Sequence, residues 1–126
     1  MENRPACLVI EADPDFRVLI TAVLTRAGFN VHAVDSGAYA IAAAASNSAL
    51  SLITLDFALP DMDGHDVARG LRALSSAPLL ILTARSGQDD MLAAMVSGAA
   101  AYLTKPFSPR ELVRTAQDLV PIARRA

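Results

Sequence analysis

Short apolar runs recur along the chain and are separated by longer segments of mixed polarity. The strong runs are Cys7–Ile10, Leu50–Leu55 and Leu79–Leu82, and weaker ones lie at Asn30–Val34 and Ala100–Leu103. Each run is bounded by polar or helix-breaking residues, which is typical of short buried strands. The pattern therefore predicts five strands.

Helical spacing occupies the intervals between these runs. Apolar residues three or four positions apart, which share one helix face, occur at Phe16, Leu19, Ile20, Val23 and Leu24, and again at Leu112, Val113, Ala116, Leu119 and Val120. Ser108-Pro109-Arg110-Glu111 has the spacing of a capping box with proline at the first helical position, so the last helix should begin near Pro109. Pro121 should end that helix near Val120, with residues 121–126 as a tail or linker.

Strands that alternate with helices require crossover connections, and right-handed crossovers place a parallel sheet between two helical layers. Both faces of such a sheet are covered, which explains why the runs are apolar throughout rather than alternating. We therefore predict an α/β fold with a doubly wound, five-stranded parallel sheet and five flanking helices. We expect one domain over residues 1–126.

Composition narrows the functional class. The chain has 126 residues, 53% of them apolar, and a formal net charge of −2, without a basic stripe that would follow nucleic-acid phosphates, so direct nucleic-acid binding is not expected. No apolar run approaches membrane-spanning length, and Cys7 is the only cysteine, so we expect a protein of the reducing cytoplasm. His32 and His65 lack the spacing of zinc ligands.

Polar residues interrupt the strand pattern at equivalent places. Glu11, Asp56, Thr83 and Lys105 each stand at the end of a predicted strand. In an open parallel sheet, ligands bind beyond the carboxyl ends of the strands. A carboxylate nucleophile, a hydroxyl, an ammonium and further carboxylates to hold a cation suit phosphoryl transfer. The pattern therefore predicts a phosphoryl-transfer site at this edge.

Each of these residues also has a purely structural interpretation. Asp56 could cap a turn, Thr83 could satisfy a strand end, and Lys105 could belong only to a turn with Pro106. Glu11 and Asp13 could cap the first helix, and for Asp13 capping is favoured over metal binding. The common placement of the four strand-end residues favours a site over these alternatives.

Four motifs in order resemble the receiver domain of two-component response regulators. They are Leu8-Val9-Ile10-Glu11-Ala12-Asp13, Leu55-Asp56-Phe57-Ala58-Leu59-Pro60-Asp61-Met62-Asp63-Gly64, Leu82-Thr83-Ala84 and Tyr102-Leu103-Thr104-Lys105-Pro106-Phe107. The resemblance covers nearly the whole chain. It implies the flavodoxin-like strand order 2-1-3-4-5.

The resemblance also implies a mechanism. A sensor histidine kinase or a histidine phosphotransfer protein would supply a phosphoryl group to Asp56, assisted by Mg²⁺ and Lys105. Thr83 and Tyr102 would act as the switch that alters the surface of the fourth helix, fifth strand and last helix, toward a downstream protein or an output domain outside this chain. Self-catalysed phosphotransfer would be the only chemistry, so the chain would be a signalling domain rather than an enzyme.

The most similar branch of the family carries a winged-helix DNA-binding domain after the receiver. That branch usually has two acidic residues, used in intersubunit salt bridges, where this chain has Ala100-Ala101. We therefore expect a monomer or a weak homodimer.

The metal site departs from the family pattern. Receivers normally place two acidic residues side by side at the end of the first strand, and the second one ligates the cation, whereas this chain has Glu11-Ala12. Glu11, Asp56 and the Ala58 carbonyl could still hold Mg²⁺ with extra water, and Asp13 could compensate. Weakened Mg²⁺ binding makes a pseudo-receiver, an interaction module without a phosphorylation cycle, the alternative function.

Overall fold

The computed structural model describes residues 4–84 and 87–121 and contains five strands that alternate with five helices within those ranges. The strands are β1 (Ala6–Ile10), β2 (Asn30–Val34), β3 (Leu50–Leu55), β4 (Leu79–Thr83) and β5 (Ala101–Thr104). The helices are α1 (Pro14–Arg26), α2 (Gly37–Ser46), α3 (Gly64–Leu74), α4 (Gln88–Val96) and α5 (Pro109–Leu119). The predicted elements are confirmed, with the last strand one residue later than its apolar run.

All strand pairs are parallel, and the order across the sheet is β2-β1-β3-β4-β5. This is the predicted doubly wound order. Because β1 lies between β2 and β3, the chain reverses its direction across the sheet at the boundary of β1 and β3. The carboxyl ends of these two strands therefore flank the crevice where ligands bind in open α/β sheets.

The core has one layer on each face of the sheet. Alternate residues of β1 point to opposite layers, with Leu8 and Ile10 among side chains from α2, α3 and α4, and Cys7 and Val9 among side chains from α1 and α5. Both layers are almost entirely apolar. This burial on two faces is the reason that the strands lack polar alternation.

Side-chain caps fix the helix starts that border the carboxyl edge of the sheet. Asp13 caps α1, Asp63 caps α3, and Ser108 caps α5 in a full capping box with Glu111. The last helix begins at Pro109 and ends at Leu119, as the sequence predicts, whereas residues 122–126 of the predicted tail lie outside the described residues. None of the helices in the described ranges has the length and apolar character of a membrane span.

Candidate phosphoacceptor site

The sheet brings the four predicted strand-end residues to one edge. Glu11 directly follows β1, Asp56 follows β3, Thr83 is the last residue of β4, and Lys105 follows β5. Backbone bonds continue the ladder past the strand ends, because the Asp56 amide donates to the Ile10 carbonyl at 3.0 Å and the Lys105 amide to the Thr83 carbonyl at 2.8 Å. The sheet itself therefore holds the backbone of the cluster.

The four residues line a cleft of about 570 Å³ at this edge. The other residues that line it are Ala12, Asp13, Phe16, Ala58 and Ala84. Glu11 and Asp56 are only 1% and 5% exposed, so both carboxyl groups are largely removed from water. Two buried acids at one cleft require compensating positive charge or hydrogen-bond donors.

Lys105 supplies that positive charge to both acids at once. Its Nζ lies 2.8 Å from Glu11 Oε1 and 2.7 Å from Asp56 Oδ2. The distances are those of charge-assisted hydrogen bonds. The three side chains form an ion triad with the ammonium in the centre.

Backbone amides occupy the other two carboxylate oxygens. Asp56 Oδ1 accepts a hydrogen bond from the Ala58 amide at 3.0 Å, and Glu11 Oε2 accepts one from the Asp13 amide at 3.2 Å. Each of the four oxygens of this acidic pair therefore has a protein donor.

The triad shifts the titration of two of its members. The pKa of Glu11 is raised to about 7, mainly because the side chain is buried. The hydrogen bond from Lys105 lowers this pKa, and the neighbouring Asp56 raises it. Burial lowers the pKa of Lys105, but hydrogen bonds to Asp56 and Glu11 outweigh that effect, so the Lys105 pKa lies above its ordinary value. Lys105 is therefore charged at neutral pH.

Asp13 serves the first helix. Its Oδ1 accepts from the amides of Asp15 at 2.8 Å and Phe16 at 3.2 Å, so the capping interpretation of Asp13 is confirmed, whereas a metal role stays a prediction. Arg17 donates from Nη1 to the carbonyls of Glu11 at 3.0 Å and Ala12 at 3.2 Å, which fastens the loop between β1 and α1. Among the described residues, no group of three or more His, Cys, Asp or Glu side chains is arranged to hold a metal ion.

The predicted switch residues lie on the last two strands. Thr83 is buried and lines the cleft. Tyr102 pairs with Ile81 in the β4–β5 register and packs partly buried against the core layer of α2, α3 and α4. Thr83 therefore belongs to the cleft and Tyr102 to the neighbouring strand, and their switching role stays a prediction.

The segment between Asp56 and α3 is fastened to two helices. Asp61 accepts from the Gly37 and Ala38 amides of α2 at 2.8 and 2.9 Å, which also lowers the pKa of Asp61. At Gly64, the first residue of α3, a Cβ atom would come within 2.6 Å of the Phe57 backbone, so this contact requires glycine. These anchors hold the loop that carries Ala58.

Phe16 is a site residue that the sequence pattern does not single out. Helical spacing places it on the apolar face of α1, yet its ring lines the cleft, and Lys105 Nζ lies 4.1 Å from the ring centroid. The Phe107 ring contacts Phe16 with centroids 6.3 Å apart. In the sequence, only its position as the third residue of α1, close to the acidic end of β1, could have indicated this role.

Comparison with known proteins agrees with this geometry. A model of the response regulator receiver domain family matches residues 7–117. The chain therefore belongs to the response regulator receiver domain family. The resemblance to receivers of two-component signalling, based on the four motifs, is confirmed.

Two relatives are regulators about twice as long as this chain. The DNA-binding response regulator MtrA of Mycolicibacterium smegmatis is 39% identical over 110 residues, which cover 87% of this chain and 48% of MtrA. The transcriptional regulatory protein GltR of Pseudomonas aeruginosa is 39% identical over 121 residues, which cover 94% of this chain and 50% of GltR. The chain spans about half the length of these relatives, and the predicted similarity to the branch with a DNA-binding output domain is confirmed.

A solved structure with the same fold holds a metal ion in its own active-site cleft. The receiver domain of the sensor histidine kinase PA1611 from Pseudomonas aeruginosa is 30% identical, with a TM-score of 0.84, over 94% of this chain and 98% of that one. That structure holds a magnesium ion coordinated in its active-site cleft.

Proposed function

We propose that Asp56 accepts a phosphoryl group from a phosphohistidine of a sensor histidine kinase or a histidine phosphotransfer protein. The observation that carries the proposal is the 2.7 Å contact between Asp56 Oδ2 and Lys105 Nζ at the carboxyl edge of a receiver sheet. This contact holds a carboxylate nucleophile beside a fixed positive charge. The phosphoryl group brings negative charge to the same place.

In the proposed step, a carboxylate oxygen of Asp56 attacks phosphorus and the phosphorus–nitrogen bond of the donor breaks. The donor imidazole leaves with the bonding electron pair and takes up a proton, and an acyl phosphate remains on Asp56. Lys105 reaches the transferring oxygens from the position that it already holds. This is self-catalysed phosphotransfer by a signalling domain, without turnover of a separate substrate.

The residues of the cleft fit a magnesium ion through a reduced set of ligands. Glu11, Asp56 and the Ala58 carbonyl would hold it, because their oxygens are the hard donors that Mg²⁺ prefers and one or two carboxylates suffice when water completes the octahedron. When bound, the cation supplies positive charge to the phosphoryl oxygens. Ala12 brings no side-chain oxygen to the cleft, so we expect the cation to bind more weakly than at a site with a carboxylate there.

The proposed output passes through Thr83 and Tyr102. A phosphoryl group on Asp56 attracts the Thr83 hydroxyl toward the cleft, and the Tyr102 ring turns into the space that Thr83 leaves, which biases the surface of α4, β5 and α5 between two states. That surface contacts a downstream protein or an output domain beyond this chain. We infer a cytoplasmic monomer or weak homodimer, without direct contact to nucleic acid or membrane.

Phosphorylation by a small phosphodonor tests the proposal. Intact-mass measurement after incubation with acetyl phosphate and Mg²⁺ should show a gain of one phosphoryl group on the wild type and on Asp66→Asn, a control at an exposed acid of α3. Asp56→Asn should show no gain. Absence of the adduct in the wild type at millimolar Mg²⁺, or its persistence in Asp56→Asn, would contradict the proposal, and the first result would favour the pseudo-receiver.

A further inference from the structure

The Lys105 ammonium is held by three groups rather than two. Besides Glu11 Oε1 and Asp56 Oδ2, it faces the ring of Phe16, whose centroid lies 4.1 Å from Nζ. An ammonium over the face of an aromatic ring is attracted by the negative potential of that face. Phe107 contacts the Phe16 ring in turn.

The contacts of Lys105 compete with those that a divalent cation would need. Glu11 and Asp56 each give one oxygen to Lys105 and the other to a backbone amide. Each oxygen keeps a further lone pair, so a cation can still reach the carboxylates, but it then shares them with the Lys105 ammonium, whose positive charge repels it. When Glu11 is ionised, the acidic pair carries two negative charges, and the ammonium already cancels one of them.

We propose that Phe16 is a positioning residue that keeps Lys105 between Glu11 and Asp56, so that Lys105 serves as the resident counter-ion of the cleft and limits the affinity for divalent cations. The proposal rests on the proposed function only because it assumes that this cleft is the cation site. It assigns the low cation affinity to two causes, the missing oxygen at Ala12 and the retained ammonium. Removal of either the ring or the ammonium should therefore increase cation affinity.

Lys105 is the only lysine of the chain, which allows a direct spectroscopic test. In protein labelled with ¹³C-lysine, one side-chain Cε–Hε signal is expected, shifted upfield because the adjacent Nζ lies 4.1 Å from the centroid of the Phe16 ring. Phe16→Leu should abolish the upfield shift, and Phe16→Tyr, which keeps the ring, should retain it. Addition of MgCl₂ should move the signal toward its position in Phe16→Leu, as the ammonium gives up its contacts.

Cation affinity provides the second test. Magnesium titrations, followed through the Ala58 amide signal, should give tighter binding for Phe16→Leu by about 2- to 5-fold and for Lys105→Met by about tenfold or more. Tyr39→Leu, which removes an exposed aromatic ring on α2, should bind as the wild type does. Urea unfolding establishes that each variant is folded, and if Lys105→Met does not fold, Phe16→Leu carries the test.

Two results would overturn the proposal. One is a lysine signal that does not move while the Ala58 amide shows magnesium binding. The other is wild-type magnesium affinity in Phe16→Leu. Neither measurement uses a phosphodonor, so a failure of phosphorylation at Asp56 would be recognised separately.

Discussion

Ala12→Asp should increase the affinity for magnesium. It should destabilise the protein in the absence of magnesium and stabilise it when magnesium is bound. Ala12 is half-buried and lines the cleft next to Glu11, so a carboxylate there adds a third acid to the two that face Lys105. Without magnesium, the added charge repels Glu11 and Asp56 and should lower the free energy of unfolding. With magnesium, the same charge becomes a ligand and should raise it.

The magnitude follows from the charges. A carboxylate about 4 Å from a divalent cation gains roughly 8 kcal/mol at an effective dielectric constant near 20, before desolvation and loss of bound water are subtracted. We expect about 1.4 to 2.8 kcal/mol to remain, which is a 10- to 100-fold lower dissociation constant. When magnesium exceeds that constant by 10- to 100-fold, the variant gains about 1.4 to 2.7 kcal/mol of stability.

Urea unfolding at several magnesium concentrations, followed by circular dichroism, measures both effects. Ser48→Asp is a suitable control. Ser48 is exposed in the turn before β3, so the substitution adds the same charge at the amino end of the strands, away from the cleft. Its stability should not respond to magnesium more than that of the wild type. If Ala12→Asp likewise gains nothing over the wild type, the cation does not bind beside Ala12.

Three further changes test separate parts of the structure. Thr54→Val should raise the free energy of unfolding by about 1 kcal/mol in urea titrations, because the buried Thr54 hydroxyl has no hydrogen-bond partner among the described residues; a loss would show that it has one. The pKa of Glu11 is raised from an ordinary 4.5 to about 7 in the folded protein, so the protonated Glu11 side chain stabilises the fold. This stabilisation is complete below pH 4.5 and is lost as the pH rises through 7. The wild type without metal should therefore lose about 2 kcal/mol between pH 5 and pH 8 relative to Glu11→Gln, and parallel pH profiles would refute the shift. Asp61→Ala should destabilise the protein at pH 7, because the Gly37 and Ala38 amides lose their acceptor. The loss of stability should become smaller in acid, since the lowered pKa of Asp61 confines its contribution to pH values above that pKa. A loss that does not change with pH would show that the Asp61 carboxylate is not the stabilising group.

The strand ends were predictable because a parallel sheet brings them to one edge whatever the details of packing. A polar residue after each buried run, such as Asp56 or Lys105, is sufficient to locate the cleft and the charges in it. The helix starts at Asp13 and Ser108 were predictable for a similar reason, since capping depends on residues within one turn of each other.

The partners of the individual side-chain atoms were not predictable in this way. Lys105 is 94 residues from Glu11 and 49 from Asp56 along the chain, so only the folded sheet decides that it bridges both rather than one. Phe16 satisfies the apolar spacing of α1 equally well whether its ring enters the core or lies over an ammonium. Periodicity assigns a residue to a face and does not show where the end of that face meets a charged cleft.

The N-terminal cap of α1 links two features of this site, the missing carboxylate at Ala12 and the ring of Phe16 beside Lys105. Asp13 lies two residues from Glu11 and could in principle provide the oxygen that Ala12 lacks, but its Oδ1 accepts the amide of Phe16 at 3.2 Å, and moving it to a cation would uncap the helix. The same bond fixes the backbone of Phe16 at the start of α1, from which its ring covers Lys105. One hydrogen bond therefore both engages an oxygen of Asp13 in the helix cap and helps to position the aromatic ring that holds the competing ammonium. Because the two effects act in the same direction, cation affinity in this receiver should respond more strongly to changes at Ala12, Phe16 and Lys105 than to the addition of acids elsewhere on the surface.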